Sequence, residues 1–207
     1  MAAERRTRKG ARRATVRRET AETHISVQVD LDGTGQARID TGVAMLDHLL
    51  SQVARHGLMD ITITARGDLS TDEHHTVEDV GLALGQALAQ AIGEGGGIVR
   101  MADATVPLDE ALATVAVDIS GRGYAAVDVE WSGERMGDLP TDLVPHLLAA
   151  LASEARMTLH ARVSAGVIDH HKAEAMFKAL GRALGAATRI EPRLAGRVPS
   201  TKGTLRA

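Results

Sequence analysis

The sequence predicts an α/β (α+β) protein made by internal duplication: two homologous half-domains, each a mostly antiparallel or mixed sheet backed by helices. Three observations carry this. A short signature occurs twice, as His74-His75-Thr76-Val77-Glu78 and as His170-His171-Lys172-Ala173-Glu174. A further histidine precedes each copy at nearly the same distance, His48 by 26 residues and His146 by 24. The order helix, strand, HHxxE helix is also readable in both halves. A single α+β domain whose halves share only this motif is the alternative.

The first 18 residues carry Arg5, Arg6, Arg8, Lys9, Arg12, Arg13, Arg17 and Arg18. A block of like charge without apolar periodicity is expected to stay solvated and disordered, so residues 1–13 read as a basic leader dispensable for chemistry. The first half-domain follows over residues 14–97. Period-2 alternation marks strands over 24–30 and 59–65. A helix is expected over 43–55, with Gly57 as its stop, and another from His74 to about Ile92, broken by Gly95-Gly96-Gly97. The second half-domain, 98–190, repeats the order: strands over 111–120 and 124–131, a helix over 141–155, a strand over 157–163 and a helix over 170–187. Pro107-Leu108-Asp109-Glu110 reads as a turn beside an element start, with no catalytic role. Residues 191–207 form a C-terminal tail.

Composition bounds the function. The 207 residues are 44% hydrophobic but only 1% aromatic, so the core must be aliphatic. A net charge of −3 gives no global case for nucleic acid or an anionic membrane as partner. No apolar run approaches a membrane span, and the absence of cysteine removes both disulfides and thiolate ligands. A cytoplasmic protein is the default expectation.

Imidazole and carboxylate together suit borderline divalent ions such as Mn, Fe, Co, Ni and Zn. On a helix, His74 and Glu78 share a face while His75 points about 100° away, so adjacent histidines should serve different metals. If the two copies face each other, one site would take His74, Glu78, His146 and His171, and its mirror image His170, Glu174, His48 and His75. Any one of these histidines could instead be a capping or core residue; the repetition favours ligation. His24, His56 and His160 lack the spacing and read as structural.

Many segments together resemble imidazoleglycerol-phosphate dehydratase of histidine biosynthesis. They include Thr20-Ala21-Glu22-Thr23, Leu46-Asp47-His48, His56-Gly57, Asp72 through Asp79, Pro107 through Leu112, Asp118-Ile119-Ser120-Gly121-Arg122, His170 through Leu180, and Pro199-Ser200-Thr201-Lys202-Gly203. The resemblance implies a ribosomal protein S5 domain 2-like fold, two divalent metals per subunit (Mn2+), and a homo-oligomer of 24 subunits built from trimers, with metal sites completed between neighbours. It implies a hydro-lyase acting on imidazole glycerol phosphate. The proton to be lost sits next to no carbonyl, so a side-chain base alone would be too weak; an imidazolate held by two metals could expel the neighbouring hydroxyl. By the same match Glu22 is the general acid/base, with His75, Glu78, His171 and Glu174 in the catalytic set. Substrate contacts are expected from Glu22, His48, His74, His75, His170, His171 and Glu174. Arg100, Arg122, Lys178, Ser200, Thr201 and Lys202 would hold the phosphate.

Two other readings compete. A carboxylate-bridged di-iron oxidase would use more glutamates on a four-helix bundle, which the strands disfavour. A metal-dependent sensor with a basic DNA-binding arm would lack a helix-turn-helix and leave Arg122 and Ser200 to Lys202 unexplained.

Overall fold

The computed structural model describes residues 11–205, so most of the expected leader lies outside the described residues. Its boundary shifts, because Arg13 already opens the first strand. Arg12 pairs with Asp32 and Arg13 with Asp30, and these acidic partners draw the end of the basic run into the sheet.

The first half runs β1 (Arg13–Glu19), β2 (Thr23–Asp30), β3 (Ala37–Asp40), α1 (Ala44–Gly57), β4 (Asp60–Gly67) and α2 (His74–Ile92). The second runs β5 (Met101–Leu108), β6 (Ala111–Asp118), β7 (Tyr124–Asp128), a small hairpin of β8 (Arg135–Met136) and β9 (Leu139–Pro140), α3 (Leu143–Ala155), β10 (Thr158–Ala165) and α4 (Asp169–Thr188). Apart from the hairpin, the order strand, strand, strand, helix, strand, helix is the same in both.

Topology repeats too. The sheets run β1-β2-β4-β3 and β5-β6-β10-β7, with the last pair of each parallel and the others antiparallel. The parallel pair arises because α1 or α3 is the crossover that returns the chain in the same direction. Both crossover helices end on a non-glycine residue in the left-handed region, Leu58 (φ 54°) and Arg156 (φ 53°). Gly57, expected to stop α1, is instead its last helical residue.

Each sheet is covered by the helices of its own half: α2 lies on β1 and β2, α1 on β3 and β4, α4 on β5 and β6, α3 on β7 and β10. Across the halves, α2 packs on α3 and α1 on α4. Both crossings are close because glycine sits at the contact. A Cβ on Gly85 would fall 2.6 Å from the Leu151 carbonyl oxygen, and one on Gly181 2.7 Å from that of Val53. The core between the sheets is aliphatic, with Leu46, Leu49, Leu84, Leu88, Leu147 and Leu180 almost fully buried around the one phenylalanine, Phe177. Among the described residues no helix is long and apolar enough to cross a membrane.

Candidate metal centre

The helix pairing across the halves sets the site. His74 and Glu78 lie one turn apart on α2, and the α2–α3 crossing brings them to His146, so that one ligand atom from each lies within 4.8 Å of the others. The α1–α4 crossing does the same for His170, Glu174 and His48. Each triad therefore takes two residues from one half and one from the other.

In the first triad the His74 and His146 rings are 4.7 Å apart. His146 Nε2 is 3.5 Å from Glu78 Oε1, and it is a buried nitrogen without a hydrogen-bond partner. Such an orphan is costly unless something outside the protein satisfies it, and a divalent ion is the group that two imidazoles and a carboxylate suit. In the second triad Glu174 Oε2 lies 3.1 Å from both His48 Nε2 and His170 Nε2, while Lys178 Nζ donates to Oε1 at 2.8 Å. Burial pushes the Glu174 carboxyl up, but Lys178, His48 and His170 together outweigh it and hold it at about 2, so the carboxylate is charged across the physiological range.

His75 and His171 turn away from their neighbours, as residues adjacent on a helix must. The His74 and His75 rings stand at 85° and the His170 and His171 rings at 90°. His75 Nδ1 lies 3.1 Å from Asp68 Oδ2 and 3.5 Å from Glu22 Oε2. His171 Nδ1 lies 2.7 Å from Glu110 Oε2. Within the described chain, then, three residues of each crossed set come together and the fourth, His171 or His75, does not. The reason is geometric: each of these histidines occupies the helix face turned toward its own half's carboxylates. Sequence reasoning gave Asp68 and Glu110 no role.

The turn carrying Glu22 is tied to α2. Buried Asp79 accepts from Arg18 Nε at 2.7 Å and from Thr23 Oγ1 at 2.5 Å, and Thr20 Oγ1 accepts from the Glu22 amide. The Glu22 carboxylate itself stays half-exposed beside His75.

The profile of the family described as imidazoleglycerol-phosphate dehydratase matches residues 41–184, a span that holds both triads. The chain belongs to this family. An imidazoleglycerol-phosphate dehydratase of Dehalococcoides mccartyi (strain ATCC BAA-2266 / KCTC 15142 / 195) is 58% identical over 194 residues, 94% of this chain and 97% of that protein. One from Methanothermobacter thermautotrophicus is 51% identical over 194 residues, covering 94% and 98%. The crystal structure of imidazoleglycerol-phosphate dehydratase from Staphylococcus aureus subsp. aureus N315 matches at a TM-score of 0.78 and 35% identity, over 86% of this chain and 99% of that one. A Pyrococcus furiosus IGPD in complex with (S)-C348 matches at 0.78 and 38%, over 91% and 99%.

The cations expected at the dehydratase phosphate site are arranged as follows. Arg100, with φ 80°, grips Asp118 through Nε and Nη2 at 2.7 and 3.0 Å and donates from Nη1 to the Pro199 carbonyl at 2.8 Å, so it anchors the tail just before Ser200. Ser200 Oγ accepts from the Lys202 amide at 3.2 Å, and Thr201 and Lys202 are exposed. Arg122 is exposed in the turn between β6 and β7. Lys178 belongs to the second triad through Glu174. His24 and His160 lie exposed on the outer sheet faces, and burial, with Lys178 and Arg182 adding to it, lowers the His56 imidazole below its usual value.

Proposed function

We propose that this chain is a hydro-lyase of L-histidine biosynthesis that dehydrates D-erythro-1-(imidazol-4-yl)glycerol 3-phosphate to 3-(imidazol-4-yl)-2-oxopropyl phosphate. Family membership over both halves supports it. The observation that carries it is the pair of matched triads: two imidazole–carboxylate sites of like composition suit a substrate whose ring has two nitrogens.

Two divalent ions, Mn2+ by the family resemblance, would be held by His74, Glu78, His146 and His171 and by His170, Glu174, His48 and His75. When bound they supply Lewis-acid polarisation of the substrate's imidazole. The protein's own groups do the rest. Water is lost as the hydroxyl on the carbon beside the ring and the hydrogen on the next carbon, and the enol that results takes a proton back at the ring-side carbon to become the ketone. Glu22 is the group that carries protons to and from these carbons and the leaving hydroxyl; its carboxylate is open on one side and backed by His75 on the other. Arg100, Arg122, Lys178, Ser200, Thr201 and Lys202 neutralise the phosphate, the tail loop being anchored through Arg100. The fourth ligand of each set comes from a neighbouring copy in a homo-oligomer of 24 subunits built from trimers, working in the cytoplasm. The triads of three, with His75 and His171 outside them, support that incomplete-alone arrangement.

The test is to strip the purified protein with chelator, titrate Mn2+ back, and record metal per chain alongside product. Turnover that returns as two metals bind per chain is expected. Stoichiometric metal without product would leave the centre but discard the dehydratase reaction, in favour of a sensor or another dinuclear enzyme.

A further inference from the structure

The duplication pairs Glu22 with Glu110. Glu22 stands immediately before Thr23, the first residue of β2, and Glu110 immediately before Ala111, the first residue of β6; β2 and β6 hold the same place in the two sheets. Each glutamate also faces the second histidine of its own half's HHxxE segment through Nδ1, Glu22 toward His75 at 3.5 Å and Glu110 toward His171 at 2.7 Å. The two halves thus contain one carboxylate–histidine unit twice, and the copies have diverged.

The divergence is specific. Glu110 is fully engaged: Oε1 accepts from the amides of Val167 and Ile168 at 3.1 and 2.9 Å, and Oε2 is left for His171. In the first half the close place on the histidine is taken by Asp68, whose Oδ2 is 3.1 Å from His75 Nδ1. Asp68 follows the end of β4; the residue that follows the end of β10 is Gly166, with no carboxylate. Glu22 is displaced outward and is 53% exposed, against 34% for Glu110.

We propose that Glu110 and Asp68 are positioning residues that aim His171 and His75 at the metals, and that Asp68, by taking over this duty in the first half, releases Glu22 for proton transfer. The chemistry is direct. A carboxylate that accepts from Nδ1–H fixes the imidazole tautomer and ring orientation, leaving the Nε2 lone pair for a metal. One carboxylate cannot both hold the histidine rigidly and travel to a substrate, so the first half uses two. This rests on the reading of the histidines as metal ligands.

The experiment measures Mn2+ affinity of the full-length protein by chelator competition, with the visible spectrum of the cobalt-substituted protein as a report on ligand geometry. Glu110→Ala and Asp68→Ala are each expected to weaken metal binding about 10–100-fold and to alter the cobalt spectrum, with turnover largely restored by excess Mn2+. Asp68→Asn, which still offers an oxygen acceptor, should lose less; Glu110→Gln can keep its one oxygen for the Val167 and Ile168 amides but turns an NH2 donor toward His171, so a metal defect there like that of Glu110→Ala separates positioning from loop damage. Glu22→Gln should keep wild-type metal affinity and lose turnover at every Mn2+ concentration. Wild-type affinity in both alanine variants, or a metal defect in Glu22→Gln as large as that in Glu110→Ala, overturns the proposal while the metal centres stand. A wild-type protein that binds no divalent ion overturns both.

Discussion

Asp60 shows how much one carboxylate can organise away from the centre. It accepts from the amides of Thr34 and Gln36 at 2.7 and 2.9 Å and so closes the loop that precedes β3. Burial pushes its carboxyl up, but the hydrogen bonds from Gln36, Thr34 and Gly35 prevail and hold it below its usual value. A folded value below the unfolded one, which is about 3.9, means the contribution is complete above that pH and is lost as pH falls through the folded value. The thermal midpoint should therefore fall on acidification below about pH 4, and Asp60→Asn should flatten that limb; an unchanged acid limb would refute it. At Asp79, Ala would strand Arg18 and Thr23, at a cost of about 2 kcal/mol measured by urea unfolding, and would loosen the turn that carries Glu22. Glu22→Gln should lower turnover by about 100-fold or more, read in steady-state assays. Single residues were unevenly legible. The histidines declare themselves by repetition, whereas Asp68 and Glu110 are ordinary acids until the fold sets them against His75 and His171. Glu110 did leave one readable signal, its place before β6 matching that of Glu22 before β2.

Of the elements that the sequence disclosed, α1, α2, α3, α4, β2, β4, β6, β7 and β10, all but the edge strand β7 carry a buried stripe, and all sit within a few residues of expectation. β1, β3 and β5 escaped it, and all three are edge strands. In β1 only Val16 is buried, and the alternation is masked by arginines whose acidic partners lie far along the chain. β3 has four residues, and β5 buries none fully and ends near a proline, which an edge position tolerates. The close contact at each helix crossing was invisible as well, because the signal lies in which glycine meets which carbonyl. Gly85→Val and Gly181→Val should push α2 from α3 and α1 from α4, each costing about 1–3 kcal/mol in thermal or urea melts. Since those crossings build the triads, each variant should also weaken one metal centre more than the other, which Mn2+ titration resolves as one tight and one weakened site.

For the molecule as a whole, the duplicated order of elements could be read from the sequence because both halves keep the helix, strand, helix frame around the motif. Pairing across the halves was raised from the sequence as the crossed ligand sets; what could not be read is that His75 and His171 end up outside the triads. If neighbouring copies supply those two ligands, metal removal must weaken assembly as well as activity. Chelator-treated protein should sediment as smaller species and return to the large form on adding Mn2+; a particle size indifferent to metal would mean that other contacts hold the copies together. The crossing of α2 with α3 and of α1 with α4 also bears on what one half could do alone. Neither half holds both histidines and the glutamate of either His–His–Glu triad, so an isolated half of this length could complete such a centre only by pairing with a second copy, each lending a helix to the other. Joined in one chain, the two halves are free to differ, as Asp68 and Gly166 do at matching places after β4 and β10.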